Sequence, residues 1–378
     1  MEMASRITVV GAGFAGLTAL RTLRRQSREV ELTLVAPRAE LHYLPGAIWL
    51  PSGRRRREDL VVPLDNFLRR ADVRFHAAHA TGLSADARTL HTDAGEVAND
   101  GLVIATGARF IRKLPGIEHA IIPCDGLAAG EAIRERLAAL SGGTLCFGFG
   151  SNPHEPIAMR GGPIFEFVFG TDTLLRRQGR RERFRLVFFS PSPKPGLRLG
   201  ERAVGLILDE MRRRGIETVL GEKPVAFEAG AVQLERTRID SDLALFMPGL
   251  TGPAWLDATS LPRSPGGLVL GDGHCRVAGL DCTYVAGDGA SLPGPEWMPK
   301  QAHQADLHAG TAARNLLGEL AGRAPSERFR AELTCIIDTL DRGLLVTRHE
   351  RGGRAFKPLR VMHWAKAAFE KRYLRRYR

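Results

Sequence analysis

Three glycines, spaced Gly11-Ala12-Gly13-Phe14-Ala15-Gly16, stand between a short apolar run from Arg6 to Val10 and a stretch of helical spacing from Leu17 to Arg25. A second apolar strand is expected from Val30 to Val35. In a strand–turn–helix–strand setting such a turn holds a dinucleotide. Gly11 makes the tight turn, Gly13 lets the backbone approach a pyrophosphate, and Gly16 lets the helix pack close on the strand. Ala12, Phe14 and Ala15 complete the cradle, and the helix N-terminus faces the phosphate charge. The acidic side chain that commonly ends the second strand and holds the ribose hydroxyls is missing, and Ala36 stands in its place. Either other groups hold the ribose or Glu40 reaches in from the following loop.

Two later segments point to FAD, rather than a nicotinamide cofactor, in this first site. Asp100 to Gly107 reads as a buried strand ending in a small-residue turn, Ala105-Thr106-Gly107, where the chain passes the cofactor and leaves for another domain. Thr283 to Gly289 is a second buried strand, ending in Gly287-Asp288, whose carboxylate could hydrogen-bond the ribityl chain. Pro299-Lys300 follows a Trp297-Met298 turn and precedes a helix, HQADLHAGTAARNLL. An ammonium and a helix N-terminus aimed at the ring would both stabilise the negative charge of the reduced flavin. The plainer reading of Lys300 is a surface cation.

A second α/β unit is expected from about residue 113 to 244, and its glycine turn would be Gly148-Phe149-Gly150-Ser151-Asn152-Pro153. Proline replaces the third glycine there. It brings no donor N–H, its ring obstructs close helix packing, and the next helix is displaced by about ten residues. NAD(P)H binding at this turn is therefore not expected.

In this order and spacing the three flavin-side segments resemble the flavoprotein superfamily with two dinucleotide-binding domains. Gly162-Pro163-Ile164-Phe165-Glu166-Phe167, followed by a basic helix, resembles a segment of the sulfide:quinone oxidoreductases and the related flavocytochrome sulfide dehydrogenases. Ile121-Ile122-Pro123-Cys124 is similar to the position of an additional cysteine in some members, and Leu333-Thr334-Cys335-Ile336-Ile337-Asp338 to the segment with the second redox cysteine. Pro299-Lys300 resembles the pair beside the flavin pyrimidine ring. His363-Trp364-Ala365-Lys366-Ala367-Ala368-Phe369-Glu370-Lys371 is similar to the C-terminal signature that forms the quinone pocket and the membrane contact. The resemblance runs end to end and implies electron flow from a sulfur donor through Cys335 and FAD to a quinone held near Ile336, Lys300 and the C-terminal helix.

One departure stands out. Arg160 occupies the place of the other redox cysteine, so the pair that carries a growing sulfur chain is incomplete. Cys124 is the candidate substitute partner, against a plain core cysteine. Arg160 itself could bind a carboxylate, sulfonate or persulfide through a forked hydrogen bond, or simply cap a helix or face solvent. Glu166 could relay protons if desolvated near the flavin, or supply a favourable charge in the first turn of its helix. Cys146, Cys275 and Cys282 carry no motif, and His154 reads as surface.

The elements that must position these residues follow from the whole chain. Its 378 residues, with 42 glycines and 44% hydrophobic residues, suit a globular α/β protein of two or three domains rather than a disordered or fibrous one. Two Rossmann-like dinucleotide-binding domains are expected. One is a discontinuous FAD domain at 1–112 and 245–322, and the other is an NAD-domain-like unit at 113–244 without an intact nucleotide turn. A small C-terminal region at 323–378 ends in a basic amphipathic helix. The five cysteines are odd in number and lack a CxxC pair, which argues against structural disulfides or a metal site. The opening MEMASRITVV already reads as a strand and no run of eighteen apolar residues occurs, so a cytoplasmic location is expected.

A net charge of +12, clustered partly at Lys366 to Arg378, favours an anionic surface. Val361, Met362, Trp364, Ala365, Ala368 and Phe369 share one helical face that continues into Arg372, Arg375 and Arg376, which suits docking on the domain followed by peripheral contact with anionic headgroups on the inner face of the cell membrane. No nucleic-acid module accompanies the charge, and a homo-oligomer is left open. Three alternatives to sulfur-to-quinone transfer remain: an NAD(P)H-dependent flavin oxidoreductase, a flavin-bound protein that has lost turnover, and a relative acting on another thiol or persulfide recognised by Arg160.

Overall fold

The apolar runs flanking the glycine turn are buried on both faces, as strands of a parallel sheet must be. In Arg6–Val10 only the first residue is exposed, and in Glu31–Ala36 likewise. The structure, a computed structural model describing residues 4–378, builds them into a parallel five-stranded sheet in the spatial order Thr283–Val285, Gly101–Ile104, Arg6–Val10, Glu31–Ala36, Val73–Ala77. Ile104 pairs with both Val10 and Val285, so these three strands end level with one another. Their following residues, Gly11, Ala105 and Ala286, are thereby brought to one edge. Segments almost 280 residues apart in sequence meet because the last strand returns to the sheet begun by the first.

A second parallel sheet has the order Ala120–Ile121, Leu243–Met247, Gly143–Phe149, Phe184–Ser190, Glu217–Leu220. Leu243–Met247 runs across the boundary expected between 244 and 245, and Phe149 still pairs with Met247, so the chain stays in this sheet through Met247. Small antiparallel sheets branch from each unit, one at Ala80–Leu83, Thr89–Thr92 and Gly95–Ala98, the other at Pro224–Glu228, Ala231–Leu234 and Arg238–Asp240.

An antiparallel sheet of Glu332–Asp338, Gly343–His349 and Gly352–Ala355 leads into the C-terminal helix Arg360–Leu374. This region joins both cores. Ile337, Leu344 and Val346 pack with Phe147, Phe165 and Phe188 of the second unit, whereas Tyr373, Leu374 and Tyr377 pack with the first. Burial of such side chains contributes roughly 1.5–3 kcal/mol each, which fixes the helix across the junction where the cavity described below opens.

The C-terminal helix is turned opposite to expectation. Its buried residues are His363, Glu370, Tyr373 and Leu374, while Val361, Trp364 and Phe369 are 58%, 66% and 55% exposed. The apolar stripe that the sequence places against the domain points away from it. The docked face is polar because it carries hydrogen-bonding and ionic partners for a buried cluster. Among the described residues no helix is long and apolar enough to cross a membrane.

Candidate functional site

The glycine turn has the backbone that its sequence demands. Gly11 sits at φ +110°, and a Cβ there would lie 2.4 Å from the Ala105 carbonyl oxygen. At Gly16 a Cβ would lie 1.8 Å from the Gly11 carbonyl, the close helix–strand approach expected of the third glycine. A Cβ on Gly13, by contrast, would meet nothing within 4 Å, because this residue faces open space at the start of helix Phe14–Gln26. That helix has no acidic residue in its first turn to compete for an anion.

The open space belongs to a cavity of about 1960 Å³. Every site residue expected from the sequence lines it except Gly16, whose place is behind the turn. Gly11 to Ala15, Ala36, Ala105 to Gly107, Gly287, Asp288, Pro299 and Lys300 meet Cys124, Arg160, Glu166, Cys335 and Ile336 across it. Beside Ala36, Glu40 also lines the cavity, with its carboxylate 3.1 Å from His42 Nε2 and 3.7 Å from Arg38 Nε. A space of this volume opening from a glycine turn, with room at Gly13 and three strand ends aligned on it, accommodates FAD.

Arg160 is neither a helix cap nor a solvent-facing side chain. Its guanidinium forms an ion pair with Asp288, the carboxylate that follows the third flavin-side strand. Burial opposes the charge on Arg160, but Asp288 together with Cys124 more than offsets this and holds its pKa above the usual value. Lys300 is buried and donates to the Ala290 carbonyl, which rules out a surface cation. Burial lowers its pKa, while Asp288 and Glu155 act in the opposite sense.

Cys124 and Cys335 are both free thiols on the cavity wall. Burial pushes Cys335 up to about 12, with Glu166 adding to it, and Cys124 up to about 11, there opposed by Arg160. Neither is a ready thiolate in this state. Cys146 and Cys275 are buried in the cores and absent from the cavity, and half-buried Cys282 is absent from it too.

Helix Gly162–Arg177 begins with Gly162 and Pro163, so Glu166 lies beyond the first turn and the dipole role considered for it does not apply. Glu166 is 6% exposed and accepts from the Asp338 N–H at 2.8 Å and from Lys366 Nζ. Lys366 also donates to the Ile336 carbonyl at 3.0 Å. Burial pushes the Glu166 carboxyl above the usual carboxylate range. Behind this pair, His363 Nδ1 lies 2.6 Å from Asp338 Oδ2, and Trp49 Nε1 donates to Asp338 Oδ1 at 3.1 Å. Burial works against ionised Asp338, but His363, Lys366 and Trp49 together hold its pKa low.

Lys366, Asp338 and His363 were not singled out as site residues from sequence. The signal that could have found the two helix residues is the spacing of His363, Lys366 and Glu370, which puts three polar side chains on one helical face away from Trp364 and Phe369.

Residues 151–161 do not form a phosphate turn. Asn152 Nδ2 donates to the Leu250 and Gly266 carbonyls, each at 2.9 Å, and Met159 bridges to Gly249. A Cβ on Gly249 would lie 2.3 Å from the Asn152 nitrogen. The segment is stitched to 249–266, and the helix starts only at Gly162.

The family model described as pyridine nucleotide-disulphide oxidoreductase matches residues 5–146. The sulfide-quinone reductase of Aquifex aeolicus is 24% identical over 365 residues, covering 89% of this chain and 81% of that protein. The crystal structure of the Aquifex aeolicus sulfide:quinone oxidoreductase superposes with a TM-score of 0.91 at 22% identity, covering 99% of this chain and 92% of that one. In sequence and in fold the chain is similar to the sulfide:quinone oxidoreductases. It is an FAD-dependent oxidoreductase, with two Rossmann-like units and a C-terminal extension. A type II NADH:quinone oxidoreductase of Staphylococcus aureus is also similar, 25% identical over 399 residues, covering 98% of this chain and 94% of that protein.

Proposed function

We propose that this chain takes electrons from sulfide or a related sulfur donor and delivers them through FAD to a quinone. The carrying observation is that one cavity joins the glycine cradle to Cys335, Cys124 and Arg160 and also to the Glu166–Lys366 pair. The relatives in sulfide-quinone and NADH:quinone chemistry support a quinone as the acceptor. FAD supplies the two-electron relay. The Gly11–Gly16 turn, the Ala105–Gly107 turn and Gly287 hold it, and Lys300 brings positive charge to the same cavity.

Cys335 is the thiol that receives the donor. Because Arg160 replaces the second cysteine, Cys124 is the other thiol on this cavity, and Arg160 favours anionic sulfur beside it. On the acceptor side a quinone needs protons as well as electrons. Glu166, whose carboxyl is pushed up by burial, and Lys366 hold a transferable proton at the Ile336 carbonyl edge. The outward face of Val361, Trp364 and Phe369, followed by exposed Arg372, Arg375 and Arg376, suits peripheral seating on an anionic inner membrane surface.

Anaerobic mixing of the holoprotein with sulfide, thiols and NADH in turn, followed by a short-chain quinone, tests the reading through the flavin absorbance. Sulfide should bleach the flavin and the quinone restore it, with Cys335→Ser slowing the first phase. Bleaching by NADH alone would favour the NADH:quinone relatives, against which stand the late helix start at Gly162 and the packed 151–161 segment.

A further inference from the structure

The crevice beyond the carboxyl ends of the strands is where open α/β sheets bind ligands. In the second unit Gly143–Phe149 and Phe184–Ser190 end there, and the 151–161 segment, packed on 249–266, forms part of the wall. The cavity continues past that segment to Lys194, Arg198, Arg348 and Trp297. Arg198 donates to the Pro156 carbonyl and, at 2.9 Å, to that of Ile157. Arg348 reaches over from the C-terminal sheet, donating to the Arg198 carbonyl at 2.8 Å with its guanidinium 5.0 Å above the Trp297 ring.

The charges here do not cancel. Lys194 pairs with Glu201 at 2.8 Å. Neither Arg198 nor Arg348 has a carboxylate oxygen within 4.0 Å among the described residues. Glu296 acts on Arg198 only at longer range, and Glu155 has its two oxygens engaged by Ser264 and Ser291. Burial drags the Arg198 pKa down to about 10, the behaviour of a cation lacking a counter-ion. An anion bound in this mouth of the cavity, which both arginines line, would relieve that penalty.

We infer that this mouth of the cavity binds the carboxylate, sulfonate or phosphate group of a small sulfur compound, oriented so that its sulfur points inward toward Arg160 and Cys335. This rests on the sulfur-donor reading above and adds the class of donor: an organic thiol or persulfide bearing an oxyanion, in preference to a neutral one. Trp297 supplies an apolar wall for the linking carbons, and Arg348 the forked donor.

The test is anaerobic calorimetric titration of the oxidised holoprotein with 3-mercaptopropanesulfonate and with its neutral counterpart 3-mercaptopropanol. The sulfonate should bind about ten-fold more tightly, the effect of one good charge-assisted contact. Arg348→Gln should remove that preference and Arg348→Lys retain part of it. Equal affinity for the two thiols, or a preference untouched in Arg348→Gln, overturns the inference. So does tight NADH binding that Arg348→Gln abolishes, which would assign the mouth to nucleotide phosphate. Sulfide-dependent bleaching of the flavin, measured on the same samples, separates the two claims. Bleaching without a sulfonate preference sinks only the mouth, and a sulfonate preference with no bleaching by any sulfur compound sinks the proposed reaction.

Discussion

Arg160 and Asp288 form an ion pair across the cavity, joining the residue that replaces a redox cysteine to the carboxylate at the end of the third flavin-side strand. The two side chains are 23% and 11% exposed, so solvent screens the pair only partly. Truncating Arg160 leaves the largely buried Asp288 with only the longer-range charge of Lys300. Arg160→Ala should therefore destabilise the protein by about 1–3 kcal/mol, below the range for fully buried pairs. Arg160→Lys should recover part of this. Chemical denaturation of both variants checks it, and an unchanged midpoint for Arg160→Ala would show that the pair contributes nothing.

Gly11 and Gly13 should respond differently to alanine. At Gly11 the positive φ and the approach to Ala105 leave no place for a Cβ. Gly11→Ala should lose both stability and flavin. Gly13→Ala should keep the melting temperature of the apoprotein, since its Cβ meets no protein atom, yet bind FAD more weakly because it narrows the approach of the pyrophosphate. Flavin-to-protein ratios after dialysis, set beside apoprotein melting curves, distinguish the two.

Glu166 and Lys366 are a buried pair whose halves depend on each other. Lys366→Met should destabilise by about 3–5 kcal/mol, by leaving the carboxylate without its cation or forcing its protonation. Adding Glu166→Gln to Lys366→Met should cost less than the sum of the two single changes. A double-mutant cycle by denaturant unfolding reads this directly. Additive losses would mean that the pair is not coupled.

His308 predicts a loss of stability that sets in above the range in which carboxylates titrate. Burial pushes its pKa down to about 3, and Gln304 Nε2 donates to its Nε2 at 2.8 Å, which requires the neutral ring. The unfolded chain binds a proton near pH 6.5 while the folded one does not. Stability is therefore full above about pH 6.5 and falls as the pH drops toward 3. His308→Gln should flatten this limb between about pH 6 and 4. An unchanged slope in pH-dependent unfolding would overturn the assignment.

The outward apolar face of the C-terminal helix predicts a lipid-dependent defect without a folding defect. Trp364→Ser with Phe369→Ser should leave the melting temperature within about 1–2 °C, since both side chains are exposed. Co-sedimentation with vesicles containing an anionic phospholipid should drop several-fold. Retained sedimentation would remove the membrane from the reading.

The sequence by itself determined the flavin side. Gly11 and Gly16 sit where a Cβ would collide with backbone, Gly13 faces open space, and the apolar runs at Val10, Ile104 and Val285 are those of doubly buried strands. These are local requirements, written in residue type and spacing. Pro153 likewise marked the second glycine turn as altered, and the next helix begins only at Gly162. What only the tertiary structure decided is which side chains neutralise one another. Arg160 finds Asp288, 128 residues away, and Glu166 finds Lys366, 200 residues away, through the return of late strands and the docking of the last helix. The helix itself shows the limit of pattern reading. Its apolar stripe predicted inward docking, but the free energy of leaving His363, Glu370 and Lys366 with their buried partners Asp338, Arg55 and Glu166 set the opposite face against the protein. Charge pairing depends on distances through space, and the linear chain does not contain them.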